Sequence, residues 1–203
     1  MRSSDWLREH ASDPFVRRAK AEGWRSRAVF KLEEIDRKER LLRPGQVCID
    51  LGAAPGAWSQ YVRRQVGRPG RVIATDLLPM EPLQGVEFLQ GDFRDDGVVS
   101  EILGRLPERG ADLVLSDMAP NMSGIDAVDQ PRAIHLAELA LDLAGRVLKR
   151  EGSALIKVFQ GSGFQELVSE TRLRFAKVKL LKPGASRARS PELYLLAKHL
   201  PLV

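Results

Sequence analysis

Cysteine is nearly absent from this 203-residue sequence. Cys48 stands alone, which excludes a disulfide framework and any cysteine-rich zinc site. Inside an apolar run it reads as a small buried hydrophobe. Long apolar runs are missing too. None approaches the ~18 residues that a bilayer-spanning helix needs, so no membrane is expected among the partners. The opening Met1-Arg2-Ser3-Ser4-Asp5-Trp6 has no apolar signal core and carries an acid early. The expected compartment is cytoplasmic. His10, His135 and His199 lack metal-ligand spacing, and no metal is expected. Internal repeats and low-complexity stretches are absent as well. What remains is ordinary globular composition, 43% hydrophobic and 29% charged, in a length that suits one domain with a small extension.

The net charge of +5 is unevenly spread. Residues 1–31 hold eight Lys or Arg against four Asp or Glu, whereas residues 172–189 hold seven basic residues and no acid. The rest of the chain is net −6. Basic ends of this kind suit a phosphate-bearing partner, because each neutralised phosphate releases condensed counterions. Two solvated basic faces would give the same totals, so motifs must decide.

Residues 14–24 and 26–40 read as helices, with Ser26 as an N-cap and Val29, Phe30, Leu32 and Ile35 on a buried side. Arg43-Pro44-Gly45 stops the second helix. Strand candidates follow at 46–50, 71–75, 86–89, 112–116, 153–159, 175–181 and 192–197. Helix candidates fall between them at 57–66, 96–106, 130–150 and 163–174. Such alternation implies parallel strands with crossover helices on both faces. No helix separates the last two strands, which are expected to form an antiparallel edge hairpin. The expected fold class is α/β: a mostly parallel seven-stranded sheet in one domain over 26–203, preceded by a basic extension, 1–25.

Asp50-Leu51-Gly52-Ala53-Ala54-Pro55-Gly56-Ala57-Trp58 follows the first strand and opens a helix. In an open α/β sheet, ligands sit beyond the carboxyl ends of strands at such a point. Gly52 and Gly56 allow close backbone approach, and Asp76, ending the second strand, can accept both hydroxyls of a ribose. NAD and S-adenosylmethionine both fit this much. The dinucleotide fingerprint G-x-G-x-x-G requires glycine at Ala54 and is absent. Asp50 before the loop can orient a cationic methionine end, whereas a pyrophosphate avoids nearby anions. S-adenosylmethionine is favoured. Gly91-Asp92 after the third strand and Asp117 after the fourth extend the set: acids at successive strand ends do not help a fold stand.

Lys157 lies within the apolar run Leu155-Ile156-Lys157-Val158-Phe159, and lysine is almost never buried without a partner. Lys31 beside Phe30 and Glu192 at the last strand are each readable as surface charges. Together with Asp117-Met118-Ala119-Pro120-Asn121-Met122, these stretches resemble the FtsJ/RrmJ family of ribosomal RNA 2′-O-methyltransferases, from about Ser26 to Ala197. The further matching runs are Ser26–Leu32, Asp50–Gln60, Phe88–Arg94, Ser116–Gly124, Lys157–Gly161 and Ser186–Ser190.

The resemblance implies a Rossmann-like S-adenosylmethionine-dependent enzyme with a catalytic tetrad of Lys31, Asp117, Lys157 and Glu192. It also implies cofactor contacts at Gly56, Trp58, Asp76, Asp92 and Asp117, beside the Asp50 and Gly52 read from the loop itself. The expected reaction is 2′-O-methylation of a uridine ribose in large-subunit ribosomal RNA, on the assembled large ribosomal subunit, by a monomeric enzyme. Arg17, Arg18, Lys20, Arg25, Arg27, Arg187 and Arg189 are the expected RNA contacts. Ala57 departs from the family pattern, where a second glycine is usual, and the residues around Glu192 vary. Lysine beside a 2′ oxygen can take its proton when neutral or stabilise an alkoxide when charged. A transfer RNA or cap acceptor, or a non-catalytic RNA-binding assembly factor, remains open.

Overall fold

Seven apolar runs pair into one sheet in the computed structural model, which describes residues 13–187 and 189–199. β1 (Val47–Leu51), β2 (Arg71–Asp76), β3 (Val86–Gln90), β4 (Ala111–Ser116) and β5 (Leu148–Phe159) run parallel. β6 (Lys177–Leu181) and β7 (Glu192–Lys198) complete the order β3-β2-β1-β4-β5-β7-β6, with β7 antiparallel to both its neighbours. The last strand is therefore interior and the penultimate one is the edge. Composition explains the choice: Tyr194 to Ala197 are fully buried, whereas β6 carries Lys177 and Lys179 outward. Lysines on an edge strand discourage pairing with a further chain.

Among the described residues, six helices cover the two faces. α1 (Pro14–Ala21), α2 (Val29–Glu39) and α3 (Ala57–Val66) pack on one side around Phe30, Leu32, Ile35 and Val62. α4 (Asp96–Arg105), α5 (Asp126–Val147) and α6 (Phe164–Arg174) pack on the other around Ile102, Leu141 and Leu167. β1 shows the division: Cys48 joins the first cluster, Ile49 and Leu51 the second. Successive side chains of a strand point to opposite faces.

Three local expectations change. Ser26 does not cap a helix: α2 begins at Val29 behind Ala28, and Ser26 Oγ instead accepts from the Ala28 N–H at 3.3 Å, closing a local turn. The helix expected over 130–150 runs from Asp126 to Val147 with Pro131 inside it. It cannot reach residue 150, because Leu148 already pairs with Ala111 as the start of β5. The first helix ends at Ala21 ahead of Gly23, whose φ of +70° a helix cannot contain.

Residues 1–12 of the expected basic extension lie outside the described residues, as does Ala188. Its remainder is packed onto the domain. The Phe15 and Phe30 rings lie 5.6 Å apart, the Trp24 and Tyr61 rings 6.0 Å apart, and Arg27 meets Asp13 at 3.1 Å.

Candidate active site

The carboxyl ends of β1, β2, β3 and β4 lie side by side, and each delivers an acid there. Asp50, on β1, is buried and accepts from Ser59 Oγ at 2.6 Å. Burial pushes its carboxyl up to about 7; Ser59 opposes the rise, and the charges of Asp117 and Asp76 add to it. The turn that follows needs its glycines. A Cβ on Gly52, at φ +70°, would fall 2.2 Å from Met118 Cγ. One on Gly56, at φ +103°, would fall 2.8 Å from Met80 Sδ and 2.9 Å from Arg25 Nη1. Gly56 is also the N-cap of α3, so the N–H groups of Ala57 and Trp58 find no acceptor within the helix.

Asp76 accepts from Ala54 N and Leu78 N, both at 2.8 Å, and so joins the glycine turn to the loop after β2. Asp92 is gripped by Arg94, whose Nε lies 2.9 and 2.8 Å from its two oxygens. Arg94 holds the Asp92 carboxyl below the usual range. Trp58 differs in kind from these. Its indole is buried, donates to Ala28 O at 2.8 Å and lies 5.7 Å from the Tyr194 ring. The side chain belongs to the core, leaving its backbone beside the turn.

Lys31 from α2, Asp117 after β4, Lys157 from β5 and Glu192 from β7 come together as two linked ion pairs. Lys157 Nζ donates to Asp117 O at 2.6 Å and lies 3.2 Å from Asp117 Oδ1. Lys31 Nζ lies 2.7 Å from Glu192 Oε1. Antiparallel register sets this meeting, since Lys157 pairs with Tyr194 and Phe159 with Glu192. Burial raises the Glu192 carboxyl, but Lys31, the Ser186 hydroxyl and Lys157 outweigh it and leave the group below its ordinary value.

Sequence reasoning missed three participants. Tyr194 is fully buried, and its hydroxyl donates to Asp117 Oδ1 at 2.5 Å. Its ring lies beneath Lys31 Nζ at 5.8 Å. The available signal was spacing: two residues beyond Glu192 on a strand, it shares that residue's face. Asp129 accepts from Ser123 N, Ser123 Oγ and Gly124 N, each at 2.8 Å, and holds the loop after Asp117. Glu34 accepts from Gly184 N at 2.6 Å and anchors the loop between β6 and β7.

The basic residues divide. Arg27, Lys31, Arg187, Arg189, Ser190 and Glu192 line a cleft of about 450 Å³ at the tetrad. Arg17 and Lys20 are exposed on α1. Arg18 is engaged by Glu22 at 2.6 Å and Glu33 at 3.4 Å, over the Phe30 ring. The Arg25 guanidinium lies on backbone carbonyls of the cofactor-loop region. Among the described residues, no group of three or more His, Cys, Asp or Glu side chains is placed to hold a metal ion, and no helix is long and apolar enough to cross a membrane.

A parallel sheet with one reversed strand, a glycine turn behind β1 and a Lys-Asp-Lys-Glu cluster beside it define a Rossmann-like methyltransferase. Residues 24–200 match the FtsJ-like methyltransferase model, and the chain belongs to that family. It is an enzyme. It is 60% identical over 196 residues to ribosomal RNA large subunit methyltransferase E of Stenotrophomonas maltophilia (strain K279a), covering 97% of this chain and 93% of that protein. The protein of the same name from Legionella pneumophila (strain Corby) is 56% identical, with coverages of 97% and 95%. A crystal structure from Plasmodium falciparum, described as a ribosomal RNA methyltransferase, superposes with a TM-score of 0.78 at 26% identity, over 87% of this chain and 98% of that one.

Proposed function

We propose that the enzyme methylates the ribose 2′ oxygen of a uridine in large-subunit ribosomal RNA, with S-adenosylmethionine as donor. In this reading it acts as a monomer, in the cytoplasm, on the assembled large subunit. The observation that carries it is the paired tetrad, two of whose members, Lys31 and Glu192, line a cleft with Arg27, Arg187 and Arg189, next to a glycine turn flanked by acids. The residues fit the donor. Two glycines have no room for a side chain, and the free N–H groups at the start of α3 suit a polar ligand. In this reading Asp76 would hold the ribose, Asp92 would accept from the adenine amine, and Asp50 would orient the cationic amino acid end. When bound, the donor supplies a methyl group already activated on a sulfonium.

The protein's task is then positioning and proton management. The carbonyl and carboxylate of Asp117 fix Lys157 Nζ from one side and leave its remaining position for the ribose hydroxyl. Tyr194 fixes Asp117 in turn, and Lys31 with Glu192 closes the far side. Lys157 orients the 2′ oxygen and, in its neutral form, accepts its proton, while Arg27, Arg187 and Arg189 face the flanking phosphates.

Methyl-labelled S-adenosylmethionine, incubated with unmodified large subunits and with their deproteinised RNA, tests the reading. Label is expected on one uridine 2′ oxygen, more on subunits than on free RNA. Lys157→Ala should remove it, a loss of about 10²–10⁴-fold. Lys157→Arg keeps the charge but cannot accept a proton, and should be nearly as slow. Label on a base, or on transfer RNA alone, would overturn the acceptor.

A further inference from the structure

Arg25 lies at the junction of three segments that no secondary-structure element joins. Its Nη1 donates to Pro55 O at 2.9 Å and Glu81 O at 2.7 Å, and its Nη2 to Pro82 O at 2.9 Å. Its own backbone N–H donates to Gln60 Oε1 at 3.1 Å, and Gln60 Nε2 returns a bond to Gly23 O at 2.9 Å. The guanidinium is close enough to Gly56 to meet a Cβ placed there. Three carbonyl oxygens therefore converge on one planar cation, a geometry that a fork of N–H donors satisfies and a point charge does not.

The two loops so fastened are the ones that grip Asp76. Ala54, whose N–H binds one Asp76 oxygen, precedes Pro55; Leu78, whose N–H binds the other, leads into Glu81 and Pro82. Arg25 completes that ring from outside. Its own segment continues on one side to α1, with exposed Arg17 and Lys20, and on the other to Arg27 in the basic cleft.

We infer that Arg25 is a positioning residue that fastens the basic N-terminal segment onto the donor-binding loops, so that RNA binding and donor binding strengthen each other. This inference rests on the S-adenosylmethionine reading above. Its physical content is linkage: RNA that orders residues 13–27 also orders the Pro55 and Glu81–Pro82 carbonyls, and the donor returns the effect by the same factor. A role as a plain phosphate contact predicts something different, because lysine would then substitute for arginine.

Calorimetry with S-adenosylmethionine, and filter binding of a large-subunit RNA fragment with and without saturating donor, separate the two. Arg25→Met is expected to weaken donor affinity about tenfold to a hundredfold, the effect of losing charged hydrogen bonds. The rate at saturating donor should change much less, so KM moves rather than kcat. Arg25→Lys should recover little donor affinity. Wild-type enzyme should bind RNA more tightly with donor present, and Arg25→Met should lose that increment. Hydrogen exchange at residues 53–56 and 80–83 should rise in both variants while the sheet stays protected, which distinguishes loop loosening from unfolding.

Wild-type enzyme that binds donor while Arg25→Met binds it equally well overturns the coupling alone. Full rescue by Arg25→Lys overturns it too. Wild-type enzyme that takes up no S-adenosylmethionine overturns the donor reading and the coupling with it.

Discussion

Asp50 is a carboxyl without water, and its titration reports what the site demands of the fold. Its ordinary value of 3.8 rises to about 7 on burial. Between those values the folded chain keeps a proton that the unfolded chain has lost. The contribution to stability is thus complete below about pH 4 and disappears as pH climbs through about 7. At pH 8 the ionised group costs up to about 4 kcal/mol. Asp50→Asn keeps an acceptor for Ser59 and never ionises, so its advantage over wild type should be large at pH 8 and mostly gone at pH 4. Urea unfolding at both values checks this; an identical gap at both would remove Asp50 as its source. At this scale the site was readable because chemistry conflicted with surroundings. A lysine in Leu155–Phe159 and acids at strand ends are costly unless used. Tyr194 and Glu34 carried no such conflict. A tyrosine in a strand and a glutamate on a helix are ordinary, and only three-dimensional pairing gave them roles.

Elements set where those groups stand. The loop after Asp117 is held at Ser123 and Gly124 by the Asp129 carboxylate, in the first turn of α5. Asp129→Ala should free the Ser123 and Gly124 N–H groups and let the loop wander over the cleft. Hydrogen exchange at 123–125 should rise, and kcat/KM for RNA should fall roughly tenfold to a hundredfold, the size of effect that a misplacement of about 1 Å produces. Donor affinity should fall much less, since Asp129 holds Ser123 and Gly124 and not Met118, the loop residue that abuts Gly52; an equal loss in both would assign Asp129 to the fold at large. Strands and helices were legible because apolar periodicity is strong in a sheet buried on both faces. The failures fall where tertiary pairing overrides local signals. The helix expected from residue 130 begins four residues earlier, at Asp126, and carries Pro131 inside it. Leu148 to Arg150 read as helix, yet Leu148 is held by Ala111 across a register shift.

The whole molecule divides by charge. Basic residues stand in two places: Arg17 and Lys20 are exposed on α1, and Arg27, Arg187 and Arg189 line the cleft beside Lys31 and Glu192. Replacing Arg17 and Lys20, or Arg187 and Arg189, by glutamine should weaken RNA binding and flatten its salt dependence by about 0.7–0.9 per lost phosphate contact. Donor affinity should stay within error. Unchanged salt slopes would mean that none of these residues contacts a phosphate. The uneven charge was legible as a count along the chain, but its convergence was not, because residues 27 and 187 become neighbours of one cleft only through folding. The pairing of β5 with β7 has one more consequence, and it concerns time. Glu192 and Tyr194 enter the site from the strand made last, and a slip of one residue would turn both to the other face. A nascent chain can therefore own its glycine turn, Asp117 and Lys157 and still be inert. The site is complete only when β7 lies between β5 and β6 and brings Glu192 and Tyr194 to the other residues.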